Sequence, residues 1–198
     1  MNKHQKRACV LLAAGIVFIG AALGIHLVQR HQDQMAGRTA ALLLSQLELS
    51  RVPATGEQLP NGGVSDPLLP LRQYMDYQLI GSLSIPSVNI HLPVLDDWSE
   101  EMLKIAPCRY SGSLSGQDLI LMGHNYKSHF TPLRQVQPGD QVTFTNADGK
   151  VFHYRVAAIE TLHREEGEKL ASAYPLTVFT CTPGGIYRFV VRCEAVGE

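Results

Sequence analysis

The sequence predicts a mainly β domain, a closed or nearly closed barrel with short helices, carried behind a single apolar N-terminal helix. Three observations predict it. Residues 8–28 form an unbroken apolar stretch, residues 51–70 are punctuated by Pro and Gly without periodicity, and from about residue 71 short β-type runs recur between turn residues. With 198 residues, 45% hydrophobic and 18% charged, the chain holds one ordinary domain plus a tail. Disorder and a small disulfide scaffold are excluded on the same grounds.

The apolar stretch ACVLLAAGIVFIGAALGIHLV has one ionisable side chain besides Cys9, namely His26 near its far end. As a helix it spans about 31 Å, enough to cross a bilayer. Lys3, Lys6 and Arg7 precede it and Arg30 follows, so the positive-inside bias keeps the N-terminus in the cytoplasm and the rest outside. A cleaved secretory signal is the competing reading, but signal cores run about 7–15 residues and this stretch is longer. Net charge is -1. Without the basic N-terminus the remainder is acidic, which leaves no electrostatic footprint for nucleic acid.

Residues 31–50 place Leu43 and Leu47 at helical spacing, a short amphipathic helix that packs on the domain or serves as a stalk. The Pro/Gly-rich linker reaches residue 70, which divides the chain into 1–30 (basic tail and membrane anchor), 31–70 (helical stalk and linker) and 71–198 (the domain). Within the domain, β-type runs fall at 78–85, 88–94, 118–122, 141–146, 150–159, 176–181 and 186–193, with room for an eighth. Asp148-Gly149 marks a hairpin between two of them, and Pro138-Gly139-Asp140 the turn before its first strand. Short helices fit near 98–105 and 131–136.

Four cysteines stand at 9, 108, 181 and 193, with no CxxC pair and no Cys/His cluster of metal-binding spacing. Cys108 and Cys193 are the pair available for a disulfide outside the membrane, if their Cα atoms approach closely enough. Loop acids Glu165, Glu166 and Glu168 read as solvated, so neither metal nor cofactor is expected. Cys181 ends the run LTVFTC just before Thr182-Pro183-Gly184-Gly185. If LTVFTC pairs with IYRFVVRC across a turn centred between the two glycines, the partner of Cys181 is Arg188, on the same face. Pro183 disfavours a two-residue turn, so the loop is expected to be 183–186, which leaves the pairing unchanged. By the same register Arg192 pairs with Thr177, about 13 Å along the strand from Cys181.

Among the eight histidines His124 stands out. The segment LILMGHN places it after a buried-type strand and a glycine, where a side chain emerges at the rim of a sheet. His91 and His153 lie inside strands, and His129 is a loop residue and a rival.

A strand ending in Gly123-His124-Asn125, then Phe130 and Leu133, Pro138-Gly139-Asp140, a hairpin, LTVFTC and Arg188 in a closing strand together resemble the sortases, cysteine transpeptidases of Gram-positive cell surfaces. LIGSLSIPSVNIHLPV (79–94) resembles their first two strands, so the likeness covers about residues 74–194. It implies an eight-stranded sortase-like β-barrel in which Cys181 is the nucleophile, His124 the acid/base and Arg188 the positioning and oxyanion-side residue. Thr180 helps form the substrate groove and Asn125 hydrogen-bonds near the site. The implied partners are secreted proteins bearing an LPXTG-like sorting signal, cut after Thr, and an amine acceptor on a peptidoglycan precursor or a pilin.

The subclass is mixed. GHN followed by YKSHFTPL resembles class B enzymes, yet the connection from about 160 to 175 is too short for their helical insertion. Asp66-Pro67-Leu68 resembles the lid of pilin-type sortases, with linker punctuation as the plainer reading. Val52-Pro53-Ala54-Thr55-Gly56 resembles a sorting signal inside the linker but lacks the hydrophobic span and basic tail that follow a real one. Two other functions fit parts of the pattern: a non-catalytic barrel module on a membrane stalk, and a cell-wall L,D-transpeptidase, whose His-Gly-Cys arrangement is absent.

Overall fold

The computed structural model describes residues 3–51 and 66–197. The VPATG segment, 52–56, lies outside them. The helix α1 (Lys3–Ser50) is continuous, where the sequence pattern had broken it into a span and a stalk. The chain divides into two compact units, Met1–Met35 and Ala36–Glu198. In the first, the described apolar side chains, from Leu12 through Phe18 to Val28, are all more than half exposed. A helix that is apolar all round and uncovered by protein has the surface of a membrane span.

In the second unit the last part of α1 packs on the barrel. Ala36, Ala40, Leu43 and Leu47 are buried, at i, i+4, i+7 and i+11 of one face. Arg51, just beyond the helix, donates through Nη2 to Ser82 Oγ at 3.1 Å and to the Thr145 carbonyl at 3.0 Å.

Among the described residues nine strands follow: β1 (Arg72–Tyr74), β2 (Tyr77–Ile85), β3 (Ile90–Leu95), β4 (Cys108–Ser111), β5 (Leu119–Gly123), β6 (Gln141–Asn146), β7 (Val151–His163), β8 (Leu176–Cys181) and β9 (Tyr187–Ala195). Their order is β1-β2-β3-β4-β5-β8-β9-β7-β6, and β6 pairs back onto β2. Strands β2 to β9 thus close an eight-stranded mixed barrel, with β1 a short addition at one edge. The short helix α2 (Glu100–Leu103) starts at Ser99, whose hydroxyl accepts from the Met102 amide at 3.1 Å.

All seven strand runs read from the sequence are present, 141–146 and 176–181 with the bounds expected and the other five with shifted ends. Two strands were missed. β1 has three residues, and β4 is the polar CRYS, fixed by Arg109 on Asp96 (Nη2 to Oδ1, 2.6 Å) rather than by an apolar pattern. β7 runs on to His163 because Thr161, Leu162 and His163 pair with Phe189, Arg188 and Tyr187.

β5 and β8 are parallel neighbours, Leu119 with Leu176 through Gly123 with Thr180. Every residue of LILMG and all of LTVFT are buried, which is why these strands read as continuous apolar runs. One face joins a core with Leu83, Phe130, Phe144 and Val191; the other joins Cys108, Leu103, Leu162 and Val190. Cys108 and Cys193 fall in different cores and both thiols are free.

Candidate active site

The β8–β9 hairpin sets the first pair of functional side chains. Thr182 donates its amide to the Tyr187 carbonyl at 2.8 Å, and the Gly185 amide reaches the Thr182 carbonyl at 2.8 Å. Gly184 and Gly185 take φ values of +85° and +69°, the left-handed region that favours glycine. The loop is therefore 183–186, and Cys181 faces Arg188 directly. Thr177 faces Arg192, as the register required.

The two arginines live differently. Arg192 is 2% exposed. Its guanidinium donates to Glu160 Oε2, Ser172 Oγ, Thr177 Oγ1 and the carbonyls of Lys169 and Leu170. Every nitrogen is occupied in tying down the β7–β8 connection. Arg188 instead lies with Cζ 5.8 Å from the centre of the Phe179 ring, and its buried Nη1 has no hydrogen-bond partner among the described residues.

The histidine is brought in by the parallel ladder. Gly123 pairs with Thr180, so the next residues, His124 and Cys181, emerge side by side at the same rim. Thr180 is fully buried, and its hydroxyl donates to the Gly123 carbonyl at 2.8 Å, behind the rim rather than on its surface. His124 stacks on Tyr126 with ring centres 3.9 Å apart, and its buried Nδ1 also lacks a partner among the described residues. Both nitrogens are therefore available to hydrogen-bond a bound group. The rival His129 is buried beneath the same loop, at 1% exposure.

Electrostatics follow from this half-buried placement. Burial pushes the Cys181 thiol up, Arg188 pulls it back, and Glu100 at the start of α2 pushes it further up. Burial drives the His124 imidazole down, while Glu100 raises it and Lys104 lowers it. With unperturbed values, independent titration at pH 7 leaves about 1% of molecules as thiolate plus imidazolium. The opposed shifts make that form scarcer still.

Sequence reasoning missed three contributors. Glu100, at the start of α2, raises both titrating groups through its charge, and its Glu-rich helix start reads like any solvated turn. Arg134, in the 3₁₀ turn Thr131–Gln135, donates Nη2 to Asn125 Oδ1 at 3.0 Å and to the Cys181 carbonyl at 3.3 Å. Trp98, Tyr110 and Phe179 form an aromatic series with ring centres 5.5 and 5.3 Å apart, ending beneath Arg188. Asp66 lies away from the site. Its carboxylate accepts from the Leu114 and Ser115 amides, before the start of β5, whereas His124 follows its end. It anchors the returning linker, and the lid resemblance does not carry over.

Comparison with known proteins points one way. The sortase-domain family model matches residues 83–196. Sortase C1 from Streptococcus agalactiae is similar at 28% identity, over 61% of this chain and 68% of that one, with a TM-score of 0.54. Sortase C from Clostridium perfringens, solved with the C-terminal cell wall sorting motif, is similar at 25% identity, over 61% and 71%, with a TM-score of 0.55. A sortase D5 transpeptidase from Clostridium perfringens, at 19% identity and a TM-score of 0.53, shares the fold. No curated protein matches the chain.

Proposed function

The chain belongs to the sortase family of cysteine transpeptidases, and from that premise we propose that Cys181, His124 and Arg188 carry out acyl transfer from a sorting signal to an amine. The Cys181 thiolate attacks the carbonyl carbon of the scissile peptide bond, after Thr in an LPXTG-like signal, and forms a tetrahedral oxyanion. Arg188 donates to that oxyanion or to the neighbouring backbone carbonyl. The His124 imidazolium gives its proton to the departing nitrogen, the C–N bond breaks, and a thioester remains on Cys181. An incoming amine, on a peptidoglycan precursor or a pilin, loses a proton to the neutral imidazole as it attacks. The thioester then collapses to a new amide and restores the thiolate.

One observation carries the reading: Cys181 faces Arg188 across β8–β9 and emerges beside His124 at the end of the β5–β8 ladder, with a buried nitrogen of each partner unsatisfied. Thr180 supports the groove from behind through Gly123, and Asn125 acts beside it through its side-chain oxygen. The exposed apolar surface of α1 supports a single-pass anchor, N-terminus in the cytoplasm and barrel outside.

The test is a panel of sorting-signal peptides offered with defined amine acceptors and read by mass spectrometry. Wild type yields a transpeptidation product and, without acceptor, an acyl adduct on Cys181. A Cys181→Ala variant that keeps its fold but still forms product overturns the assignment.

A further inference from the structure

The β5–β8 ladder ends at Gly123 and Thr180, so His124 and Cys181 each stand one residue beyond the last rung. Past that rung no strand pairing between β5 and β8 continues. The Thr182 amide bonds the Tyr187 carbonyl, and hydrogen-bonded and non-bonded pairs alternate along an antiparallel ladder. Cys181 and Arg188 are therefore a non-bonded pair, and the carbonyl of Cys181 points away from β9, toward the β5 side where the ladder has run out. The donor that meets it there is Arg134 Nη2, at 3.3 Å. The second hydrogen of the same nitrogen serves Asn125 Oδ1, at 3.0 Å, and that oxygen also accepts from Thr131 Oγ1 at 2.9 Å. Asn125 is covalently next to His124.

We propose that Arg134 is a positioning residue for the acyl transfer, its guanidinium clamping the His124–Asn125 turn to the backbone of the nucleophile. This rests on the reading of Cys181 and His124 given above. A planar fork with fixed donor directions suits two acceptors on separate elements, which a flexible ammonium serves poorly. The spacing it fixes is the one on which proton transfer depends, and a displacement of about 1 Å at such a centre costs on the order of 100-fold in rate. Arg134 itself is exposed, so its removal leaves both cores intact.

The experiment is the pH profile of Cys181 alkylation by iodoacetamide in the full chain in detergent, resolved from the other cysteines by peptide mass spectrometry. The N–H of a neutral imidazole held beside the sulfur donates to the thiolate and favours it. Asn125→Ala breaks the clamp without changing any charge, and it is expected to move the alkylation midpoint to higher pH. Arg134→Ala and Arg134→Lys do the same, and the Asn125→Ala/Arg134→Ala double variant moves no further than the larger single. In a His124→Ala background the charge-neutral Asn125→Ala no longer moves the midpoint, nor does any shift beyond it that the clamp causes. An unchanged midpoint in Asn125→Ala, or a shift that persists without His124, overturns the clamp. A His124→Ala midpoint equal to the wild type's overturns the Cys181–His124 pairing itself, and is told apart because it needs no clamp variant.

Discussion

Thr180 gives its hydroxyl proton to the carbonyl of Gly123 across the last rung between two parallel strands. The bond is fully buried and lies directly behind His124 and Cys181. Thr180→Val keeps the shape and removes the donor, at a cost of about 0.5–1.5 kcal/mol. Thr180→Ser keeps the bond. Thermal melts and peptide turnover should rank wild type, then Ser, then Val; a Val variant as stable and active as wild type contradicts the bond's role.

Rate against pH should be a broad bell. The reactive form holds one proton on the imidazole and none on sulfur, so the acid limb follows His124 and the alkaline limb follows Cys181. Burial lowers the first below 6.5 and raises the second above 9.0, which widens the bell and lowers its height. Glu100 raises both groups, so Glu100→Gln should carry both limbs to lower pH. A kcat/KM profile in which only one limb moves, or either moves up, speaks against that placement of Glu100.

Thiol chemistry should be selective. Burial pushes Cys108 and Cys193 up to about 12, Cys108 with help from Asp97, whereas Cys181 is only half-buried and faces Arg188. In the folded barrel at neutral pH, iodoacetamide should modify Cys181 and spare Cys108 and Cys193 until denaturant is added. Labelling of all three at similar rates is the contrary result.

Gly123 admits no side chain. A β-carbon there would sit 2.2 Å from Cδ2 of the Phe130 ring, which is fully buried and closed in by the core. Gly123→Ala should cost about 1–3 kcal/mol and lower turnover by displacing His124. Pairing it with Phe130→Leu should restore part of the turnover, since the two changes share one space; strict additivity in the double variant rules out that explanation.

Local signals made part of this site readable in advance. The Pro-Gly-Gly turn fixed the hairpin register, and with it the opposition of Cys181 and Arg188 and of Thr177 and Arg192. The apolar runs LILM and LTVFT announced strands buried on both faces, and the glycine after the first pointed to His124. What stayed hidden depends on closure. Arg134 meets Asn125 and Cys181 only once a surface turn has folded against β8, and no spacing announces such a contact. β4 stayed hidden because its four residues are held by an ion pair instead of an alternating pattern. The continuity of α1 was obscured by a change of face, from apolar all round to a single buried stripe, at about Ala36.

The order of the strands has a consequence for biogenesis. β5 and β8 are adjacent in the barrel, yet β6 and β7 intervene in the chain, and the strand bearing Arg188 follows both. A nascent polypeptide therefore carries the Cys181 sulfur apart from the end of β5 until β8 has docked against it. Contacts as distant in sequence as Gly123 with Thr180 form slowly, so the proposed site is assembled late in folding.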